Sequence, residues 1–226
     1  MKIFIGYDSR EDVAYRVCEA SLRRTTSVPL DIQPIKQKDL RQRKIYTRGV
    51  DRLSSTEFSF TRFLTPYLAG YKGWALFMDC DFLIRHDIST LLDYCDGSKA
   101  LYCVHHNYLP EEATKMDGKI QTHYPYKNWS SFMWINCEHP DVKELTPDVV
   151  NMESGLYLHQ FKWLSDESSI GELPIAYNYL EGWYNKDDCP NPIAVHFTRG
   201  GPWFKDYMEV EYGDEWVQLA KRTVYE

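Results

Sequence analysis

Five consecutive apolar residues, Trp74-Ala75-Leu76-Phe77-Met78, run directly into Asp79-Cys80-Asp81. A short apolar run with no polar face reads as a strand covered on both sides, and such strands belong to parallel sheets flanked by helices. The flanking sequence agrees. Residues 2–5 form a β-rich run that stops at Gly6, and residues 10–24 place Val13, Val17, Ala20, Ser21 and Arg24 along one helical side. Residues 29–35 then alternate as a second strand. Strand, helix, strand predicts a parallel βαβ unit, hence an α/β fold with a mostly parallel sheet.

The rest of the chain supplies further elements. Residues 37–55 are polar and basic without a period and read as a loop. Residues 55–70 read as one helix with Phe58, Phe60, Phe63, Leu64, Tyr67 and Leu68 on its apolar side and Gly70 as its stop. Residues 87–94 read as a helix capped by Asp87, residues 100–104 and 131–137 as strands, and residues 105–128 as a long loop. A helix is expected within 147–163, a late strand at 194–197 and a closing helix at 214–222. No repeat, low-complexity tract or linker interrupts 1–226, which reads as one domain.

Composition removes several classes. With 26 basic and 33 acidic residues the chain carries a net charge of −7. That balance argues against nucleic-acid binding, and the basic stretch at 41–52 reads as a solvated face. A hydrophobic content of 43% excludes intrinsic disorder. No apolar run approaches the roughly 20 residues of a membrane-spanning helix. The six cysteines contain no CxxC pair. Together with the absence of a signal-peptide pattern at the N-terminus, they suggest free thiols in a cytoplasmic protein.

The acid pair carries the chemistry. In open α/β sheets ligands bind beyond the carboxyl ends of strands, where Asp79 and Asp81 fall. Two carboxylates one residue apart repel unless a cation lies between them, and hard divalent cations choose carboxylate oxygens while leaving positions for phosphates. The competing reading is two turn-forming acids at a strand end. Asp8 ends the first strand, and Gly6 would let backbone approach a ligand there. His196 ends the late strand, just before Gly200-Gly201-Pro202-Trp203. Three strand ends thus carry an acid, an acid pair and a histidine that can face one crevice, and imidazole is an accepted Mn²⁺ ligand.

With those motifs in place, the sequence resembles GT-A fold glycosyltransferases of family 8, which includes glycogenin and bacterial lipopolysaccharide galactosyltransferases. MKIFIGYDSREDVAYRVCEASL resembles the family's opening strand and helix, and TRFLTPYLAGYKGWALFMDCDFLI its segment from a helix Arg to the DxD strand. SSFMWIN, LPIAYNYL and VHFTRGGPW resemble three later segments. The resemblance implies a Rossmann-like nucleotide-sugar-binding fold whose central, mostly parallel mixed sheet is flanked by helices. It implies Asp79, Asp81 and His196 as ligands of Mn²⁺ or Mg²⁺. It implies a donor site drawn from Gly6, Tyr7, Asp8, Arg62, Asp79, Ser130, Ser131, Gly200 and Gly201, with Asp8 on the nucleotide base. The family's diphosphate lysine is missing, and Arg199 stands in its neighbourhood. Asp166, then Glu167, are the loose counterparts of the acidic motif near the anomeric carbon. The implied activity is metal-dependent, retaining transfer of a hexose from a nucleotide diphosphate sugar, UDP-glucose or UDP-galactose, to a carbohydrate acceptor. Trp183, Tyr184 and Trp203 are candidates for an acceptor platform. A nucleotidyltransferase and a non-catalytic sugar-binding domain are the rival readings. The first shares the acid pair but usually carries a basic Gly-rich N-terminal loop, and the second would explain the missing lysine.

Overall fold

A computed structural model describes residues 1–49, 54–107 and 126–224. The chain runs β1 (Lys2–Tyr7), α1 (Asp12–Thr25), β2 (Asp31–Lys36), α2 (Gln37–Gln42), α3 (Thr65–Leu68), β3 (Trp74–Met78), β4 (Phe82–Ile84) and β5 (Leu101–Cys103). It continues with β6 (Phe132–Asn136), α4 (Pro140–Lys143), α5 (Pro147–Met152), α6 (Gly155–His159), β7 (Ile170–Glu172), β8 (Tyr179–Leu180), β9 (Ala194–His196) and α7 (Gly213–Thr223). Single 3-10 turns fill several connections.

The main sheet has the order β2-β1-β3-β6-β5-β7. β1 pairs in parallel with β2 and β3, and β5 with β7, while β6 alone is antiparallel to its neighbours. A smaller sheet, β4-β9-β8, stands beside it. The expected mostly parallel α/β architecture is therefore present. β3 is its buried centre: Ala75, Leu76, Phe77 and Met78 are fully covered. Helix α1 carries Asp12 in its first turn and Arg23 and Arg24 in its last, which suits the helix dipole, and buries Ala14, Val17, Cys18 and Leu22.

Several expectations are corrected. Residues 37–55 are not all loop, because α2 occupies Gln37–Gln42. Residues 55–70 do not form one helix. A turn at 57–60 leads into a 3-10 segment, Thr61–Leu64, and only four residues of α-helix follow, starting with Pro66 in the first turn. Proline lacks the N–H a continuing helix would donate, so it starts a helix rather than extending one. Asp87 does cap its element, which is 3-10 rather than α. Pro110, Gly118 and Pro125 of the expected loop, and Arg52 of the basic stretch, lie outside the described residues.

Candidate active site

The geometry starts at the carboxyl end of β3. Asp79 continues the ladder to β6, its N–H donating to the Ser131 carbonyl at 2.9 Å. Two residues on, Asp81 accepts from the Phe197 N–H through its own carbonyl at 3.0 Å, so the chain has passed from the large sheet to the small one. Phe82 pairs with His196 in the β4–β9 register, and their rings stack at 4.1 Å. This crossing brings Asp79, Asp81 and His196 together, with one ligand-type atom from each lying within 4.8 Å of the others.

Buried partners orient the set. His196 is 2% exposed. Its Nδ1 lies 2.9 Å from Asn178 Oδ1, and the Asn178 amide donates to Ser131 Oγ at 2.9 Å, which in turn donates to the Asn128 carbonyl at 2.6 Å. That direction of donors puts a ring proton on Nδ1, so that in the neutral ring Nε2 is the lone pair. Nε2 faces Asp81 Oδ1 at 3.2 Å, and that buried oxygen has no hydrogen bond among the described residues. Two acceptors facing each other fit a divalent cation bound between carboxylate oxygens and an imidazole.

Arg62 supplies the neighbouring positive charge. It is buried, its Nη1 lies 3.0 Å from Asp79 Oδ1 and it donates to the Ser130 carbonyl at 2.9 Å. Burial pushes the Asp79 carboxyl up to about 6, with Arg62 pulling against it and Asp81 adding to it. Ser130 Oγ meets His159 Nδ1 at 2.8 Å, tying α6 to the same corner.

The remaining predicted residues divide. Asp8 is fully buried and its oxygens are engaged within the chain, by the Arg10 side chain at 2.9 and 2.7 Å, the Arg10 N–H at 3.0 Å and the Glu57 N–H at 3.1 Å. Burial alone would raise its carboxyl, but these bonds outweigh it and hold it below the usual range. A base could reach Asp8 only by displacing Arg10. Gly6 does not open space for a ligand: a Cβ there would lie 2.5 Å from the Phe58 ring. Gly201 is likewise filled by Trp203, at 2.1 Å, and the Gly200 N–H closes a turn onto the Phe197 carbonyl at 2.9 Å. Tyr7 donates to Asp12 at 2.8 Å, with Lys36 over its ring.

Asp166 and Glu167 do not join the cluster. They precede β7, three strand spacings or about 14 Å across the sheet from β3. Asp166 spends its carboxylate capping the following turn through Ser168, and Glu167 accepts from the Tyr126 hydroxyl at 2.9 Å. Trp203 packs against Phe197 and Trp216 rather than standing free, and the Tyr184 hydroxyl bonds His106 at 2.7 Å.

Residues that pattern reading passed over lie beside these side chains. Burial and the charges of Asp81 and Asp8 push Glu11 up to about 8, and Cys80 Sγ contacts its carboxylate at 3.7 Å. His106 is buried near His196, and burial, then that neighbour, lower it to about 3, so it is neutral at pH 7. Glu181 follows β8 and donates its N–H to the His196 carbonyl at 3.0 Å.

Over 219 residues the chain is 52% identical to Protein CDI of Arabidopsis thaliana, an alignment covering 96% of this chain and 84% of that protein. The chain belongs to the Protein CDI family. No protein-family model matches this CDI-family chain. Solved structures with the same fold are glycosyltransferases. WbbM, a bifunctional glycosyltransferase, superposes with a TM-score of 0.71 at 12% identity over all of this chain and 50% of its own. The galactosyltransferase LgtC, solved with donor and acceptor sugar analogs, gives 0.62 at 13% identity, covering 99% and 96% of the two chains. GlyE of Streptococcus pneumoniae TIGR4 gives 0.62 at 15% identity over 97% of this chain and 59% of its own. The CDI-family chain thus spans about half the length of WbbM and somewhat more of GlyE. Its fold is GT-A, as the resemblance implied. Among the described residues no helix is long and apolar enough to cross a membrane.

Proposed function

We propose that this CDI-family chain is a metal-dependent glycosyltransferase of the family 8 kind, with 1–226 as one catalytic domain. The reaction moves a hexose from UDP-glucose or UDP-galactose to a carbohydrate hydroxyl with retention at the anomeric carbon. The observation that carries the reading is the convergence of Asp79, Asp81 and His196 within 4.8 Å where the two sheets meet. Two turn-forming acids alone would not bring in a buried histidine with its Nε2 lone pair presented to Asp81. The six cysteines are free, which suits the reducing cytoplasm.

A bound Mn²⁺ or Mg²⁺ supplies Lewis-acid stabilisation of the diphosphate leaving group. Asp79, Asp81 and His196 hold it. Arg62 fixes Asp79 and keeps the buried corner from accumulating negative charge. Arg199, on the turn after His196, is the side chain assigned in this reading to stand in for the missing family lysine. Its planar guanidinium binds phosphate oxygens in pairs, which one ammonium cannot. Ser130 and Ser131 line the β6 end of the same corner. Trp183, half-buried with its Nε1 donating to Thr198, and Tyr184 are the aromatic side chains left for an acceptor.

The test is release of nucleoside diphosphate from a panel of UDP- and GDP-sugars with Mn²⁺, Mg²⁺ or EDTA. The expected result is metal-dependent release from a UDP-hexose, abolished in Asp81→Asn with the melting temperature kept. Asp81→Asn is the cleaner variant, because Asp79→Asn also strands the buried Arg62 charge. Binding of a UDP-sugar without turnover would favour the non-catalytic reading, and consumption of a nucleoside triphosphate would favour a nucleotidyltransferase.

A further inference from the structure

Arg199 leaves the end of β9 on a tight turn whose Gly200 has φ 125°. Its guanidinium folds back onto the chain, with the side chain 33% exposed. It lies flat against Gly182, where a Cβ would sit 1.8 Å from Nη2 and 2.2 Å from Cζ, and Gly182 has φ +75°, a region that favours glycine on its own. Beside it, Glu181 is 4% exposed. One carboxylate oxygen of Glu181 accepts from the Glu211 N–H at 3.3 Å, and the other, Oε2, stands 3.7 Å from Arg199 Nη2 with no hydrogen bond among the described residues. The Trp183 ring closes the third side, 5.8 Å from Cζ. Three consecutive residues after β8 therefore provide a charge, a space and a wall, all fitted to a guanidinium.

Resting on the reading of Arg199 above, we propose that Glu181 and Gly182 are positioning residues that hold the Arg199 guanidinium ready for the diphosphate of the donor. A contact of 3.7 Å is longer than a hydrogen bond, so it restrains the cation electrostatically without consuming its N–H groups. Arg199 Nε is buried and has no hydrogen bond among the described residues. Nε is thus turned inward, and it is the terminal Nη groups of the partly exposed side chain that remain for phosphate oxygens, the geometry in which Arg exceeds Lys. The Glu181 backbone is anchored by its N–H to the His196 carbonyl, and its carboxylate by the Glu211 N–H. Arginine position and histidine position are thus built on one pair of strands. The cradle also explains why Arg stands here in place of the family's Lys: a bare ammonium has no plane to lie on Gly182 and no second arm for the ligand.

A double-mutant cycle tests this, read as the affinity for UDP in Mn²⁺ by calorimetry with melting temperatures alongside. Arg199→Ala and Glu181→Gln should each weaken UDP binding by about 10-fold or more, the scale of a charged hydrogen bond. The double variant should bind no worse than Arg199→Ala, because Glu181 acts through Arg199. Gly182→Ala, whose methyl displaces the guanidinium, should show the same loss and serves where Glu181→Gln fails to fold. Additive losses, or Glu181→Gln and Gly182→Ala proteins that are folded and bind UDP like wild type, would overturn the proposal. Tight wild-type binding that Arg199→Ala leaves unchanged would retire it alone. A wild-type chain that binds no nucleoside diphosphate with Mn²⁺ would instead bring down the functional reading itself, and this inference with it.

Discussion

At the scale of single residues, His196 is defined by the atom it does not present. Asn178 is fully buried, and its oxygen takes the Nδ1 proton, so Nε2 turns to Asp81. Partners of this kind fix ring orientation, and their loss typically costs 10–100-fold in metal affinity. Asn178→Ala should therefore weaken Mn²⁺ binding by about 10–100-fold, followed by paramagnetic resonance of free Mn²⁺. Asn178→Asp keeps an oxygen facing Nδ1 and should lose less. The ¹⁵N spectrum of the metal-free protein should show His196 protonated at Nδ1. Unchanged Mn²⁺ affinity in a folded Asn178→Ala protein would mean that Asn178 only fills space.

The same scale shows what the sequence could tell. Asp79, Asp81 and His196 were legible as a candidate set because buried strand ends announce themselves by apolar runs that stop at a charge, whereas Arg62, on the 3-10 turn Thr61–Leu64, was named only through the family resemblance. Gly6 and Gly201 were misread for a physical reason: a glycine marks close approach, but the pattern does not say whether a ligand or an aromatic ring approaches. Here Phe58 and Trp203 do. Asp8 was named, yet the spacing did not say that Arg10, two residues on, and the Glu57 N–H, from a turn about fifty residues away, would occupy its oxygens. Asn178 and Glu181 were invisible as site residues because their roles depend on strand pairing with His196, which spacing does not encode.

Among elements, short 3-10 turns and two- or three-residue strands carry much of the connectivity. Such pieces are too brief for a period to register, so β4, β7 and β8 went unseen while α1, β3 and α7 were clear. Asp166 and Glu167 were misplaced for the same reason: without β7 nothing put them on the far side of β5. Asp87 illustrates how a short element is held. It caps Ile88–Asp93 through the Ser89 N–H at 2.8 Å and also accepts from the Ser27 N–H at 3.1 Å and the Thr26 hydroxyl at 3.2 Å, tying the end of α1 to that turn. Burial raises its carboxyl, but the Ser27 and Ser89 bonds prevail and bring it down to about 2. A folded value below the unfolded one means stability present above about pH 4 and lost as pH falls toward 2. Asp87→Ala should thus cost about 1–2 kcal/mol at pH 7 in urea unfolding, and the difference from wild type should shrink across that acid window. A difference constant from pH 7 to pH 2 would show that the carboxylate charge plays no part.

Across the whole molecule, the candidate site is where the two sheets join, Asp79 arriving from the large sheet and Asp81 and His196 from the small one. The small sheet has its own apolar cluster, with Val17 of α1, Leu83, Val195 and Phe197 packed against Trp216, Leu219 and Ala220 of α7. Trp216 is 3% exposed and lies 5.5 Å from Trp203. Truncating it leaves a cavity beneath the sheet that carries His196, and Trp216→Ala should cost about 3–5 kcal/mol in urea unfolding. A cation held by residues from both sheets binds only when the sheets are assembled. Saturating Mn²⁺ should then restore roughly 2.7 kcal/mol at a hundredfold excess over its dissociation constant. The recovery should vanish in Trp216→Ala combined with Asp81→Asn, which keeps the damaged packing but removes a ligand. Equal recovery in both backgrounds would place the stabilising ion elsewhere on this acidic surface and separate the junction of the sheets from metal binding.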